Sequence, residues 1–209
     1  MIRSEITVEI FCDKDTLFKL LEDRGFKYVA KLQIDDYYYT HVPIGRDIDF
    51  RELVTNSFLV RCLKCADFKS KEKSIGYTRL IYKKKEFDQR DKVISEYKIS
   101  TDVADTRFAN EIFQQMGLTQ WVSKNANGYG FRRDNQYILV QEVENLGLYI
   151  EVEQFDDQSG DKDEILDGLV DFINELEIPC GNDFHENIAY KLFLKKSKHK
   201  SFGFNPDVL

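Results

Sequence analysis

Alternation between apolar and polar residues dominates this chain and predicts a protein built mainly from β-strands. Within residues 4–11, Ile6, Val8 and Ile10 are apolar, whereas the residues between them are polar or acidic. A strand with this period has one apolar face and one polar face. The same pattern predicts strands at residues 2–11, 27–39, 57–65, 77–84, 92–99, 118–124, 129–133, 137–143 and 148–153.

Short turn signals join several of these strands and predict antiparallel neighbours. Asn127-Gly128, Asp134-Asn135 and the stretch 145–147 each separate two strand-like segments. A strand, a helix and a hairpin series also occur twice, in residues 1–90 and 91–155, which we interpret as two similar halves. The alternative is coincidence between two ordinary β-α-β stretches. Two half-sheets that face each other would close into a barrel, which removes exposed strand edges.

A period of 3.6 residues predicts four helices among these strands. The first follows Asp13 and ends at Gly25, and the second ends at Gly117. The third begins with Asp161 and Glu164 in capping-box spacing, and the last covers about residues 187–196. Apolar residues expected on the second and third helices are Phe108, Ile112, Met116, Ile165, Leu169, Ile173 and Leu176. We therefore predict an α+β fold: an antiparallel closed β-barrel, or tunnel, of about eight strands with helices packed outside.

The length and composition favour a single domain. The chain has 209 residues without a linker rich in proline, glycine or serine, so we expect one domain, 1–209, with a helical C-terminal part at 156–209. A net charge of −7 argues against a nucleic-acid partner, because proteins that coat nucleic acid need a basic face. Neither a leader-like start nor a long apolar run is seen, so we expect a cytoplasmic protein without a membrane partner.

Charged residues recur on the polar faces of five predicted strands. The acidic or hydroxyl members are Glu5, Thr7, Glu9, Glu96, Glu151 and Glu153, and the basic members are Arg61, Arg79, Lys83, Lys92 and Lys98. On any single strand such a face is the solvent side of a sheet, but its repetition favours a charged interior. Buried acids and bases are costly unless they bind something. Mg²⁺ or Mn²⁺ on carboxylates, with arginine and lysine on phosphate oxygens, is the combination found at polyphosphate sites.

Five stretches share their order and spacing with motifs of a known family. They are EITVE at 5–9, QIDDYYYTHVPIGRD at 33–47, SFLVR at 57–61, LIYK at 80–83 and QEVENLGLYIEVE at 141–153. The chain therefore resembles the CYTH family, or triphosphate tunnel metalloenzymes, which includes class IV adenylyl cyclases, thiamine triphosphatases and inorganic triphosphatases. NIAYKLFL at 187–194 is a weaker match.

The resemblance implies a tunnel that binds a small-molecule triphosphate together with Mg²⁺ or Mn²⁺. By position, it assigns metal binding to Glu5, Glu151 and Glu153, and phosphate contact to Arg61, Lys83 and Lys124. Alternation along the strands adds Arg79 and Arg133 as candidate phosphate contacts. The implied reaction is cyclisation of a nucleotide, as in adenylyl cyclases, or hydrolysis of a triphosphate. No catalytic residue is assigned, and a homodimer is left open.

Five positions depart from the family pattern. Thr7 stands at a glutamate position, Glu9 at a lysine, Gln141 at an aspartate and Leu59 at an arginine, and Ala126 lies near a usual arginine. The site thereby loses two carboxylates and three cations. The alternative hypothesis is a catalytically degraded domain that binds a phosphorylated ligand as a sensor or interaction module.

Overall fold

The computed structural model of the chain describes residues 2–44, 49–66, 74–87, 93–155 and 162–200. Within them the strands are β1 (Ile2–Ile10), β2 (Lys27–Thr40), β3 (Asn56–Ala66), β4 (Ser74–Phe87), β5 (Val93–Val103), β6 (Thr119–Arg133), β7 (Gln136–Val143) and β8 (Gly147–Phe155). The helices are α1 (Lys14–Asp23), α2 (Phe50–Thr55), α3 (Thr106–Gln115), α4 (Lys162–Glu175) and α5 (Ile188–Lys200).

The eight described strands form one closed ring of antiparallel neighbours. Their order is β1-β5-β4-β3-β2-β6-β7-β8, and β8 pairs with β1 along Arg3–Ile10. This confirms the predicted α+β fold with a closed antiparallel barrel. The order is unchanged when β1 to β4 are exchanged with β5 to β8, as two similar halves would require. The halves themselves stay a prediction.

β6 corrects the sequence prediction of two strands at 118–124 and 129–133. Asn127-Gly128 is not a turn: it lies in the middle of a strand of 15 residues that pairs with β2 on one side and β7 on the other. A Cβ atom on Gly128 would come within 3.1 Å of Ile34 Cδ1 and 3.3 Å of Leu139 Cδ1. The glycine thus permits close packing inside the barrel, a role that local sequence does not distinguish from a turn.

The apolar face of each strand at the β1–β8 side of the barrel packs outward against helices. Ile6, Val8 and Ile150 form one cluster with Leu169 and Ile173 of α4. Leu176, which was predicted on this helix and directly follows it, is also buried. Ile165 is only half-buried, and its neighbour Leu166 takes the inner position. Because apolar residues occupy the outer face, the alternate polar residues are left to line the inside.

The helix ends follow the predicted capping signals where these are described. The Asp13 carboxylate accepts a hydrogen bond from the Thr16 N–H at 2.9 Å, and Gly25 ends the first helical segment with φ of 84°. Asn187 caps α5 by accepting from the Tyr190 N–H at 3.0 Å. Asp161, the predicted start of the third helix, lies outside the described residues, as does Lys92. α2 was not predicted, because six residues are too few for a helical period to show.

α3 buries a different face from the apolar stripe seen in the sequence. Phe108, Ile112 and Met116 are 56%, 48% and 65% exposed, whereas Ala109 and Phe113 are buried. The Phe113 ring packs edge-on against Tyr39 of β2 at a centroid distance of 5.3 Å. Both faces of this helix are apolar, so the period alone does not decide which one meets the barrel.

The chain before α5 completes the wall beside β1. Among the residues that the structure describes, β1 pairs with β5 at Ile2 and Arg3. Farther along, the Thr7 N–H donates to the Phe184 carbonyl at 2.9 Å, and the Gly181 N–H donates to the Glu9 carbonyl at 2.9 Å. α5 then packs Ile188, Ala189 and Leu192 into a core cluster with Trp121 and Tyr149. The C-terminal helix is therefore part of the barrel and not an appendage.

Two findings bear on the predicted surroundings of the protein. Cys12, Cys62, Cys65 and Cys180 are all free thiols. Among the residues whose placement is described, no helix combines the length and the apolar character needed to cross a membrane.

Candidate functional site

The polar faces of the strands enclose a cavity that is lined by both bases and acids. The basic side chains come from β3, β4, β5 and β6: Arg61, Lys83, Lys85, Lys98 and Lys124. On the other wall, Glu5 of β1 and Glu151 of β8 line the same space. Five of the side chains that the family resemblance assigns, three bases and two acids, therefore meet in one interior.

Asp36 of β2 holds two of the bases in place. Arg61 Nε and Nη2 donate to the two Asp36 carboxylate oxygens at 2.7 and 2.8 Å, and Lys124 Nζ lies 3.0 Å from Oδ2. Burial opposes ionisation of Asp36, but Arg61 and Lys124 outweigh it and hold its pKa well below the ordinary range. Asp36 is fully buried and does not line the cavity itself. It lies behind both cations and fixes their head groups at the wall.

Glu96 of β5 has the same relation to two lysines of β4. Its carboxylate lies 2.8 Å from Lys83 Nζ and 3.7 Å from Lys85 Nζ. Burial raises the pKa of Glu96. The positive charges of the lysines, of which Lys83 has the largest effect, outweigh burial and lower this pKa to about 2. In Lys83 burial disfavours the charged form, yet Glu96 and Glu5 raise its pKa above the ordinary value. Both partners are therefore charged at neutral pH.

A hydrogen-bond relay connects the basic wall with the acidic wall. Lys124 Nζ donates to Gln141 Oε1 at 3.0 Å, and Gln141 Nε2 donates to Glu151 Oε2 at 2.6 Å. Glu151 in turn faces Glu5, whose pKa is raised by burial and by the charge of Glu151. Two carboxylates that repel each other in a partly buried site are stabilised when a cation lies between them.

The donor set fits a divalent metal that completes its shell with substrate. Mg²⁺ commonly uses one or two carboxylates together with water and phosphate oxygens, and Glu5 with Glu151 supplies two. Glu153, the third predicted ligand, pairs in register with Glu5 but does not line the cavity. In the described part of the chain, no three acidic, histidine or cysteine side chains are grouped closely enough to hold a metal by themselves.

Two of the predicted phosphate contacts lie away from the cavity. Arg79 Nε donates to Asp102 Oδ1 at 2.6 Å near the barrel end, and its side chain is 36% exposed. Arg133 donates to the Arg24 carbonyl at 2.9 Å and packs over the Phe26 ring, at the end of α1. Arg133 is nine positions from Lys124 in the single strand β6, so the two side chains point to opposite faces. These two assignments are corrected.

The residues that depart from the family pattern lie in different surroundings. Thr7 lines the cavity, and Leu59 and Ala126 are buried apolar residues. Glu9 pairs with Lys191 of α5 at 2.9 Å. A lysine therefore stands beside this position after all, although it comes from the C-terminal helix and is neutralised by Glu9 and Glu186.

Sequence reasoning did not assign Asp36 or Lys85 to the site, and it named Glu96 only as a member of a charged strand face. Asp36 lies two positions before the cavity residue Tyr38, and Lys85 lies two positions after Lys83, so alternation could have suggested both. That Asp36 meets Arg61 and Lys124 depends on pairing with β3 and β6, where it lies opposite those two residues. Only the sheet register supplies this information.

Comparisons with known proteins agree with the fold and with the motifs. No family model matches the chain. A protein of Methanocaldococcus jannaschii named "Putative adenylate cyclase" is 25% identical over 195 residues, which cover 93% of this chain and 98% of the relative. The PH1819 protein of Pyrococcus horikoshii has a similar structure, with a TM-score of 0.68, 19% identity, and coverage of 93% and 99%.

A third similar protein is known from its X-ray structure. A "putative adenylate cyclase" of Vibrio parahaemolyticus matches with a TM-score of 0.64 and 14% identity, over 93% of this chain and 98% of its own. The solved structures establish the barrel fold. Together with the full-length archaeal relative, they confirm the resemblance to the CYTH family that the sequence motifs indicated.

Proposed function

We propose that this chain binds a nucleoside triphosphate with Mg²⁺ or Mn²⁺ in its tunnel and acts on it as an adenylyl cyclase-like enzyme. The observation that carries the proposal is that one cavity is lined by three bases, Arg61, Lys83 and Lys124, and by two carboxylates, Glu5 and Glu151. The archaeal relative named as an adenylate cyclase supports cyclisation over hydrolysis.

In cyclisation, the ribose 3′-hydroxyl loses its proton to water, its oxygen bonds to the α-phosphorus, the bond from that phosphorus to the bridging oxygen breaks, and pyrophosphate leaves. Arg61 and Lys124, fixed by Asp36, donate to phosphate oxygens and neutralise the charge that develops on the leaving group. Glu5 and Glu151 hold the metal, which when bound supplies positive charge to the phosphates. A triphosphatase would instead direct water to the terminal phosphorus.

Tyr38 contributes a hydrogen-bond donor and not a base. Its hydroxyl donates to Asp36 Oδ2 at 3.4 Å within the same cavity. Burial raises the pKa of the phenol, so that it stays protonated at neutral pH. We therefore place Tyr38 among the groups that position Asp36 and the substrate.

The test is incubation of the purified protein with ATP, thiamine triphosphate or tripolyphosphate plus Mg²⁺ or Mn²⁺, followed by anion-exchange separation of the products. Cyclic AMP and pyrophosphate from ATP are expected. Arg61→Lys removes the two-point contact with Asp36 that fixes this cation at the wall, and should lower the rate by about a hundredfold. Arg133→Lys is the matched control, because Arg133 lies outside the barrel, and it should leave the rate unchanged.

A catalytically degraded binding module is the second candidate. Thr7 and Gln141 favour it, because they replace two carboxylates of the family pattern, and the Gln141 amide is engaged by Lys124 and Glu151. In that case triphosphate raises the melting temperature while product stays at background. If no triphosphate yields product or shifts the melting temperature, both candidates are wrong.

A further inference from the structure

Three lysines lie together on the inner face of β4 and β5. Lys83 of β4 is directly opposite Lys98 of β5 in the sheet register, and Lys85 lies one inward position farther along β4. All three line the cavity. Like charges directly opposite each other destabilise a pair of strands, so this arrangement needs a compensating anion.

Two acids, Glu96 and Glu5, act on this group. Glu96 is shared between Lys83 and Lys85, and its charge also interacts with Lys98. The charge of Glu5 on β1 acts on Lys83 and Lys85 and also on Glu151, so it is shared with the proposed metal site. Glu96 is 4% exposed and lies behind the lysines, which leaves their charge turned toward the cavity.

The lysines stand in a site that has lost cations elsewhere. Leu59 and Ala126 are buried and apolar, and Glu9 is paired with Lys191. A triphosphate carries several negative charges, and Arg61, Lys83 and Lys124 alone supply three positive ones. Lys85 and Lys98 raise the number of bases that line the cavity to five.

We propose that Lys85 and Lys98 bind phosphate oxygens of the triphosphate, so that the β4–β5 wall replaces the cations missing at Leu59, Glu9 and Ala126. This inference rests on the proposed function, since it names further residues that hold the same ligand. Each lysine offers a charge-assisted hydrogen bond to a phosphate oxygen, the strongest type of contact such a side chain makes.

The experiment is calorimetric titration of the full chain with inorganic tripolyphosphate in the presence of Mn²⁺. Lys98→Gln and Lys85→Gln should each weaken binding by roughly tenfold or more, which is the loss expected for one charged hydrogen bond. Lys98→Arg should restore most of the affinity because it keeps the charge. Lys84→Gln is the matched control, since Lys84 lies between the two β4 lysines, is exposed and should not change the affinity.

A thermal melt without ligand separates binding from folding. Lys98→Gln keeps the ion pairs of Glu96 with Lys83 and Lys85, so its melting temperature should stay close to that of the unaltered protein. If the unaltered chain binds tripolyphosphate and both glutamine variants bind it equally well, the inference is wrong while the proposed function stands. If the unaltered chain does not bind it, the proposed function fails and the inference with it.

Discussion

At the scale of single residues, Asp36 contacts two of the three bases that the family resemblance assigns to phosphate. Its carboxylate is inaccessible to solvent and accepts from Arg61 and Lys124. Such an arrangement is costly to bury but also costly to break, because removal of one member leaves an uncompensated charge in the interior. Asp36 thus links the stability of the barrel to the positions of the Arg61 and Lys124 head groups.

Replacing Asp36→Asn should destabilise the protein by about 3–5 kcal/mol, since Arg61 and Lys124 lose their only carboxylate at hydrogen-bond distance among the described residues. Urea unfolding measures this change. Asp35→Asn is the control. Asp35 is next to Asp36 in the chain, but it is only partly buried and accepts a hydrogen bond from Gln33. Equal stability of the two variants would contradict the role given to Asp36.

The depressed pKa of Glu96 makes part of the stability depend on pH. The folded value of about 2 lies below the ordinary 4.5, so the stabilisation is complete above about pH 4.5 and is lost as the pH falls toward 2. The stability difference between the unaltered protein and Glu96→Gln should therefore shrink from about pH 6 to about pH 2.5. Urea unfolding at several pH values checks this, with exposed Glu111→Gln as control. A constant difference would argue against the pairing with Lys83.

At the scale of elements, β6 shows how the barrel interior limits the size of a side chain. Gly128 faces Ile34 and Leu32 of β2 on one side and Leu139 of β7 on the other. The strand continues through Asn127-Gly128 because its hydrogen bonds to two neighbours outweigh the local preference for a turn.

Gly128→Ala should cost about 1–3 kcal/mol, because the new methyl group meets three side chains at 3.1 to 3.3 Å. Gly168→Ala is the matched control, since nothing lies within 4 Å of that position in α4. There alanine should stabilise the helix by about 1 kcal/mol or less. Thermal or urea unfolding measures both. A neutral Gly128→Ala would mean that the interior is less tightly packed than described.

At the scale of the whole molecule, the C-terminal helix belongs to the barrel. Between their described residues, β1 and β5 pair at two positions, and the chain from Pro179 to Glu186 bonds to the rest of the β1 edge. Glu186 and Asn187, just before α5 begins, and Ile188 and Ala189 of α5 line the cavity. Residues 186–189, within the part that the sequence separated as helical and C-terminal, therefore contribute to the candidate site.

Leu192→Ala should destabilise the whole protein by about 2–5 kcal/mol, because Leu192 is buried in the cluster that joins α5 to the barrel. Leu194→Ala, two positions farther along the same helix, is 39% exposed and should cost about 1 kcal/mol or less. Urea unfolding followed by tryptophan fluorescence reports on this cluster through Trp121. If the two variants are equally stable, α5 is not an integral part of the fold.

The sequence by itself determined seven of the eight described strands, most of the ends of those seven and the identity of the polar faces. Periods of two residues are local, and a closed barrel follows because eight strands with one charged face are best arranged around a common interior. The order of the motifs also indicated the family resemblance. Arg61, Lys83, Lys124, Glu5 and Glu151 were found in this way, and they line one cavity.

Only the tertiary structure decided which charges meet. Asp36 lies opposite Arg61 and Lys124 through the registers of two different strand pairs, and Glu9 meets Lys191 from the far end of the chain. Arg79 and Arg133 share the alternation of the site residues, yet one lies at the barrel end and the other on the outer face. Ion pairs form between atoms a few ångströms apart, and that proximity depends on strand register and ring closure, which no local pattern contains.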